Sequence, residues 1–201
     1  MRIFISALIL TLLFYSCNSN AKKQIDKASL VDGIYQNEKV GWTMKIPDGW
    51  NIINGDELDD RQSKGDKIIT ESMKMQYHGN PNAQLLINFQ KDQLNFFQST
   101  LEPVKNVKVW QKNNKIIKSI LYQTYSNKGI KIDTFSTNEK ISKLEFEVFH
   151  VVLFNKKGQQ SYQQDFYSTF TKGYDFAINI NANSTKEKLD MELAWKNSKF
   201  K

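Results

Sequence analysis

Apolar residues recur along this chain with two periods, one typical of strands and one typical of helices. Every second residue from Val40 to Ile46 is apolar, which predicts a strand with one buried face, and Pro47-Asp48-Gly49 ends it as a turn. A run of apolar residues over 85–89 predicts a second, short and buried strand.

Four segments carry helix signals. Asn54 followed by Glu57 fits a capping box, which predicts a polar helix reaching to about Met73. The pattern over 92–101 also predicts a helix, interrupted at Pro103. The clearest helix is predicted over 104–127, where apolar residues fall on one stripe with a period of 3.6 and Lys128-Gly129 follows as a stop signal.

A second capping box, Ser184 with Glu187, predicts the start of a terminal helix. Leu189, Leu193 and Phe200 share one face of this helix, whereas Met191 and Trp195 do not. The helix therefore either buries two sides or leaves one apolar side exposed.

The second half of the chain predicts four strands in hairpin order, over 130–140, 144–154, 159–171 and 174–182. From Val148 to Phe154 only His150 is not apolar, which indicates that both faces of this strand are covered. We therefore predict an α+β fold in which an antiparallel sheet is flanked by helices on both faces, an α-β-α sandwich. Residues 34–201 are expected to form this single domain.

The first residues are typical of a targeting segment. Arg2 is followed by an uncharged, mostly apolar run from Ile3 to Tyr15. A helix of that length covers roughly 20 Å at about 1.5 Å per residue, well short of a hydrocarbon core of about 30 Å. The sequence therefore predicts a cleaved signal peptide over 1–16 and no permanent transmembrane anchor.

Cys17, the only cysteine in the chain, directly follows this apolar run and Ser16. The arrangement resembles a lipobox, which implies lipidation of Cys17 after cleavage before it. Residues 17–33 are then a lipidated terminus and a polar tether. The alternative, an ordinary signal peptide, leaves a lone thiol in an oxidising compartment. No acidic run follows Cys17, which favours the periplasmic face of an outer membrane over the cell surface.

Charge narrows the range of partners. The net charge is +7, but among 28 basic residues only Arg2 and Arg61 are arginines. Arginine is the side chain best suited to phosphates and guanine edges, so we expect no nucleic-acid partner. A solvated lysine surface explains the charge.

No constellation of catalytic residues stands out, and we expect neither an enzyme nor a cofactor. His78 and His150 are the only histidines, and no HExxH or cysteine spacing supports a metal site. We interpret His78 as solvated and His150 as satisfied near the core. No acid partner for a serine–histidine triad is evident. Glu145 and Glu147 share a strand face about 6.7 Å apart, which leaves a hydrolase as a distant hypothesis.

Several segments together resemble the PsbP-like fold, and more closely a group of bacterial lipoproteins of unknown function built on it. The likeness spans about residues 35–201. The segments that carry it are Gly41-Trp42-Thr43-Met44-Lys45-Ile46-Pro47-Asp48-Gly49-Trp50, Lys64-Gly65, Gln164-Asp165-Phe166-Tyr167, Lys172-Gly173-Tyr174 and Ser198-Lys199-Phe200. The resemblance implies a helix–sheet–helix sandwich and an accessory or binding role.

The expected function is thus a membrane-anchored, non-catalytic module that binds a protein or assists an envelope complex. The oligomeric state and any ligand-binding residues stay open. The alternative is a small-ligand or glycan-binding lipoprotein with an aromatic cleft. That cleft would have to be drawn from seven aromatic residues: Trp42, Trp50, Trp110, Tyr162, Phe166, Tyr167 and Trp195.

Overall fold

A computed structural model describes residues 30–53 and 83–201 and, between them, seven single positions from 57 to 71. Those seven positions are helical, as the sequence predicts, whereas Asn54, the expected cap, lies outside the described residues. The described part holds two sheets and two further helices. In chain order the elements are β1 (Leu30–Val31), β2 (Ile34–Asn37), β3 (Trp42–Lys45), β4 (Asn51–Ile52), β5 (Gln84–Gln90), β6 (Phe96–Pro103), α1 (Val107–Ser126), β7 (Lys131–Ile141), β8 (Leu144–Phe154), β9 (Gln160–Thr171), β10 (Tyr174–Ala182), α2 (Thr185–Lys196) and β11 (Lys199–Phe200).

The larger sheet has seven antiparallel strands in the order β4-β5-β6-β10-β9-β8-β7. Its hairpins follow the turn residues of the sequence. Gly158 and Gly173 adopt φ of 76° and 82°, values that favour glycine because it has no Cβ. The four strands predicted over 130–182 are therefore confirmed.

The second sheet is small, with the order β1-β2-β3-β11. Its outer strand β1 is formed by Leu30 and Val31, at the end of the expected tether. Its other outer strand, β11, comes from the C-terminus, where Phe200 pairs with Trp42. The alternation predicted around β3 is confirmed, because Trp42 and Met44 are buried between exposed or half-buried neighbours.

Side chains alternate across the larger sheet and build a separate core on each face. On one face, α1 packs Ile117, Leu121 and Tyr125 against β8, β9 and β10. On the other face, the small sheet and α2 contribute Trp42, Met44, Met191, Trp195 and Phe200 to a larger aromatic core.

The predicted α-β-α sandwich is therefore wrong. The fold is a β-rich α+β fold with two sheets, because the layer opposite α1 consists of α2 together with a second sheet. That sheet brings together residues 30–45 and 199–200, and among its short strands only β3 has a clear period of its own. Phe200 belongs to β11 and not to the terminal helix, which ends at Lys196.

The helix predicted over 92–101 is also wrong. Phe96–Pro103 is strand β6, which pairs with β10 along eight residues and with β5 on its other side. Pairing on both edges outweighs the weak helical propensity of this segment. The start of the strand is fixed by Asp92, whose Oδ1 accepts hydrogen bonds from the backbone N–H groups of Leu94 and Asn95.

The helix predicted over 104–127 is present, but it begins at Val107, three residues later than predicted, whereas the predicted cap Ser184 is confirmed. Asn106 caps α1 by accepting from the N–H groups of Lys108 and Val109 at 3.0 and 3.1 Å. Ser184 caps α2 through the N–H of Glu187. Helix α2 buries only the side that carries Met191 and Trp195, and it leaves Leu189 and Leu193 exposed.

Candidate functional site

A polar groove of about 400 Å³ opens where α2 begins, between that helix and the first residues of β9. The capping geometry of Ser184 sets the direction of α2 and so fixes one wall. Amide, hydroxyl and charged side chains dominate the lining, with Leu189 as the exposed apolar exception. The lining residues are Gln160, Ser161, Tyr162, Gln163, Ala182, Asn183, Ser184, Thr185, Lys188, Leu189 and Glu192.

Beside the groove lies a fully buried carboxylate, Asp165 of β9. One oxygen, Oδ1, lies 2.7 Å from His150 Nδ1 and accepts a hydrogen bond of 3.2 Å from Gln163 Nε2. The other, Oδ2, lies 3.1 Å from Lys188 Nζ. Lys188 also lies 3.1 Å from Glu192 one helical turn later. The groove wall is thus backed by a network of four ionisable residues that joins β8, β9 and α2.

Contacts within this network keep the carboxyl group of Asp165 and the amine of Lys188 in their charged forms. Burial alone would raise the pKa of Asp165, but the hydrogen bond from His150 and the positive charge of Lys188 outweigh it and place that pKa below its ordinary value. Burial would lower the pKa of Lys188, but Asp165 and Glu192 raise it above its ordinary value. Asp165 and Lys188 therefore form a buried ion pair at neutral pH.

His150 makes a second polar contact and an aromatic one. Its Nε2 lies 2.8 Å from Thr137 Oγ1 of β7, and the phenyl ring of Phe135 stacks on the imidazole at 4.4 Å between ring centroids. The order hydroxyl–imidazole–carboxylate matches that of a hydrolase triad. In such a triad the acid's negative charge stabilises an imidazolium, whereas Lys188 already neutralises Asp165 here. The chain of contacts instead ties the edge strand to α2.

Sequence reasoning predicted that the ring nitrogens of His150 find hydrogen-bond partners near the core, which is confirmed. It did not predict that one of these partners is the carboxylate of Asp165. The reason is a register shift. Leu153 pairs with Tyr162, but Phe154 pairs with Gln160, so one extra residue of β9 is accommodated next to the turn. Counting back from the turn without this irregularity places Gln164 opposite His150, whereas the strand places Asp165 there.

The other candidate residues do not assemble a site. Glu145 is exposed, while Glu147 is tied to α1 by Lys118 Nζ and by Asn114 Nδ2, the latter at 2.7 Å. The two glutamates therefore differ in environment and face no shared cleft among the described residues. His78 and Cys17 lie outside the described residues.

The seven aromatics are packed inside the protein rather than along a cleft. Six of them are buried, and Trp110 is half-buried with its Nε1 donating to Ser168 Oγ at 2.6 Å. Only Tyr162 lines the groove. An aromatic cleft needs at least two of these rings at one pocket, so the groove does not fit the glycan-binding alternative.

A second polar cluster lies under α1, where Ser168 donates to Asp175 Oδ1 at 2.9 Å. Asp175 is buried and pairs across the strands with Glu102, which is buried as well. Burial raises the pKa of Asp175 to about 7; the Ser168 hydrogen bond opposes this shift and the charge of Glu102 adds to it. Sequence reasoning predicted strand β10 but assigned no role to its polar residues, so it missed this cluster.

Among the described residues, no three histidine, cysteine or acidic side chains converge as metal ligands. None of the described helices combines the length and the apolar character needed to cross a bilayer.

Comparisons with known proteins give similarities of fold. No family model matches the sequence, and no curated protein matches it. The solution structure of cyanobacterial PsbP from Synechocystis sp. PCC 6803 aligns with a TM-score of 0.47 and 9% identity, covering 92% of this chain and 98% of that one. A crystal structure from Bacteroides thetaiotaomicron VPI-5482 aligns with a TM-score of 0.43 and 10% identity over 84% of this chain. This chain spans 48% of the Bacteroides protein. The resemblance to PsbP-like proteins is thus confirmed, as a likeness of fold alone.

Proposed function

We propose that this protein is a lipid-anchored, non-catalytic module of the bacterial envelope that binds a protein partner through the outer face of α2. The observation that carries the proposal is a pair of exposed leucines. Leu189 is 57% exposed and Leu193 65% exposed, one helical turn apart and next to the groove.

These leucines do not contribute to the core, because α2 is held by Met191 and Trp195 on its opposite side, both fully buried. Exposed leucines scattered singly are common on protein surfaces. Here two lie on one helical face, bordered by Lys186, Lys188 and Glu192, which is the pattern of an apolar anchor with a polar rim. We infer that a partner packs on this face.

The ion pair behind the groove supports binding rather than catalysis. Asp165 and Lys188 fix the position of α2 relative to β9, so the leucines are presented on a rigid support. A pre-ordered surface loses less entropy on association. The groove then accepts polar groups of the partner alongside its apolar contact with the leucines.

The membrane part of the proposal rests on the sequence. Ile3–Tyr15 followed by Ser16 and Cys17 supports export and lipidation, and the absence of an acidic run after Cys17 supports a periplasmic orientation. Intact-mass analysis of the protein purified from its own membranes tests this step. A lipid-sized increase on a chain that begins at Cys17 is expected, and an unmodified Cys17 contradicts the anchor.

Site-specific photocrosslinking in native membranes tests the binding face. A photoreactive residue at Leu193 is expected to capture the same partner band as one at Leu189. The matched control is Lys115, which is also exposed but lies on α1 on the opposite face of the larger sheet. Equal capture from Lys115, or none from either leucine, contradicts the proposed face.

A further inference from the structure

The outer strand of the larger sheet, β7, is long and regular. All eleven of its residues pair with β8 without a bulge, and it contains neither proline nor glycine. In the part of the chain that the structure describes, no strand pairs with its other edge. Proteins usually protect such edges with bulges, prolines or very short strands, because a free edge can pair with another chain. Charged side chains protect edges too, and they are the only protective feature of β7: Lys131, Asp133, Glu139 and Lys140.

Two exposed aromatic side chains flank this edge. Phe135 of β7 is 49% exposed on the face shared with α2. Tyr122 of α1 is 47% exposed on the opposite face. It lies beside β7 because Lys118, one turn earlier, donates to Ser136 Oγ, and Tyr125 accepts the backbone N–H of Ile130 just before the strand. Partly buried aromatics along a free edge are typical of an interface.

We infer that two copies of this chain associate through β7, antiparallel and about a two-fold axis at Phe135, so that the two larger sheets become one continuous sheet. The occupant of the edge is a second copy because the charges of β7 are complementary to themselves in this register. Lys131 of each copy then lies opposite Glu139 of the other, a half-buried carboxylate that also lies 3.4 Å from Lys196 Nζ of its own chain. Phe135 lies opposite itself, and Asp133 lies opposite Thr137.

Strand geometry limits the alternatives to a few registers. Opposed residues in an antiparallel pair have side chains on the same face, so an odd-numbered residue can pair only with another odd-numbered one. Centring the axis on Ser136 places Asp133 opposite Glu139 twice, which is repulsive. Centring it on Thr134 places Asp133 opposite Phe135 and leaves Lys131 without an acid. The Phe135-centred register alone among these three forms two ion pairs.

Disulfide trapping tests the register directly. In the full chain carrying Cys17→Ser, which removes its only cysteine, Phe135→Cys places two thiols opposite each other across the axis. Directly opposed residues have Cα atoms about 4.5–5.5 Å apart, within the range that a disulfide bridges. Mild oxidation is expected to give a covalent dimer in high yield.

Asp133→Cys is the matched control, because this exposed residue shares the face of Phe135. Its two copies would lie roughly 13 Å apart along the strands and should not bridge alone. They should bridge when mixed with Thr137→Cys. Equal bridging of Asp133→Cys alone and Phe135→Cys overturns the register.

Charge reversal provides a second, solution test by sedimentation of the full chain in detergent. Lys131→Glu opposes like charges twice per dimer and is expected to weaken association about tenfold or more. Combining it with Glu139→Lys is expected to restore association. A chain that is monomeric at all concentrations, or a double variant no better than Lys131→Glu, overturns the inference.

Discussion

At the scale of single residues, the buried carboxyl group of Asp175 makes the stability of the fold depend on pH. Its pKa rises from 3.8 to about 7 on folding, mainly through burial. The folded protein therefore holds a proton here that the unfolded chain releases between these values. The stabilisation that this proton provides is fully present below about pH 4. The free energy of unfolding then falls as pH rises toward 7, by up to about 4 kcal/mol.

Asp175→Asn is expected to remove this slope, because the amide stays neutral and its oxygen can still accept from Ser168. At pH 8 the variant should be more stable than the native chain by about 2 kcal/mol or more in urea unfolding. Asp133→Asn, on the exposed edge, is the matched control and should stay within about 0.5 kcal/mol. A native chain whose stability does not fall between pH 4 and 7 contradicts the assignment.

In the ion pair of Asp165 and Lys188, removing one charge is expected to destabilise the protein, whereas removing the charge of Asp175 stabilises it. Lys188→Met leaves a fully buried carboxylate without its cation, which is expected to cost about 3–5 kcal/mol of unfolding free energy. Because the pKa of Asp165 is lowered, the stabilisation is present above the unfolded pKa of about 4 and is lost as pH falls through the folded value.

Lys186→Met is the control for this substitution. Lys186 is 74% exposed and lies 3.8 Å from the partly exposed Asp190, so its loss should cost less than about 1 kcal/mol. Thermal or urea unfolding at pH 7 measures both variants. Equal costs for the two lysines would contradict the buried ion pair.

At the scale of elements, the two-residue strand β11 is expected to stabilise the protein far more than its length indicates. Phe200 pairs with Trp42 and contacts the rings of Phe146, Phe176 and Trp195 at 5.9–6.1 Å between centroids. Phe200→Ala should cost about 3–5 kcal/mol in urea unfolding. Lys199→Ala, exposed on the same strand, should cost little. A small effect at Phe200 would show that β11 is dispensable.

The elements that sequence reasoning found differ physically from those that it missed. Helix α1 and the hairpin strands are long, periodic and bounded by turn residues, so local pattern suffices to predict them. Strand β11 has no such signal, because it is only two residues long and its conformation is set by pairing with Trp42, which lies 158 residues earlier. Strand β6 was mistaken for a helix since pairing on both edges, rather than propensity, sets its conformation.

The candidate site shows the same division. The capping residue Ser184 and the exposed Leu189 and Leu193 could be placed on α2 from sequence spacing. The pairing of His150 with Asp165 could not, because it depends on an irregular register next to a turn. The charged residues of this site lie on different elements, and the contacts between them cannot be predicted from spacing along the chain.

At the scale of the whole molecule, β10 joins the two cores into one folding unit. Phe176, Ile178 and Ile180 point into the aromatic core, while Ala177 between them packs with the residues under α1. Loss of either core therefore exposes the same central strand. We expect the domain to unfold in a single cooperative transition.

This expectation can be checked with one substitution in each core and two probes. Phe146→Ala removes a ring from the aromatic core and Phe149→Ala one from the core under α1. Each should lower stability by about 3–5 kcal/mol while tryptophan fluorescence and far-UV circular dichroism stay superimposable. Ile116→Ala, on the exposed side of α1, should change little. Because three of the four tryptophans are buried in the aromatic core, a fluorescence transition in Phe149→Ala that occurs after the dichroism change would mean that the two cores unfold separately.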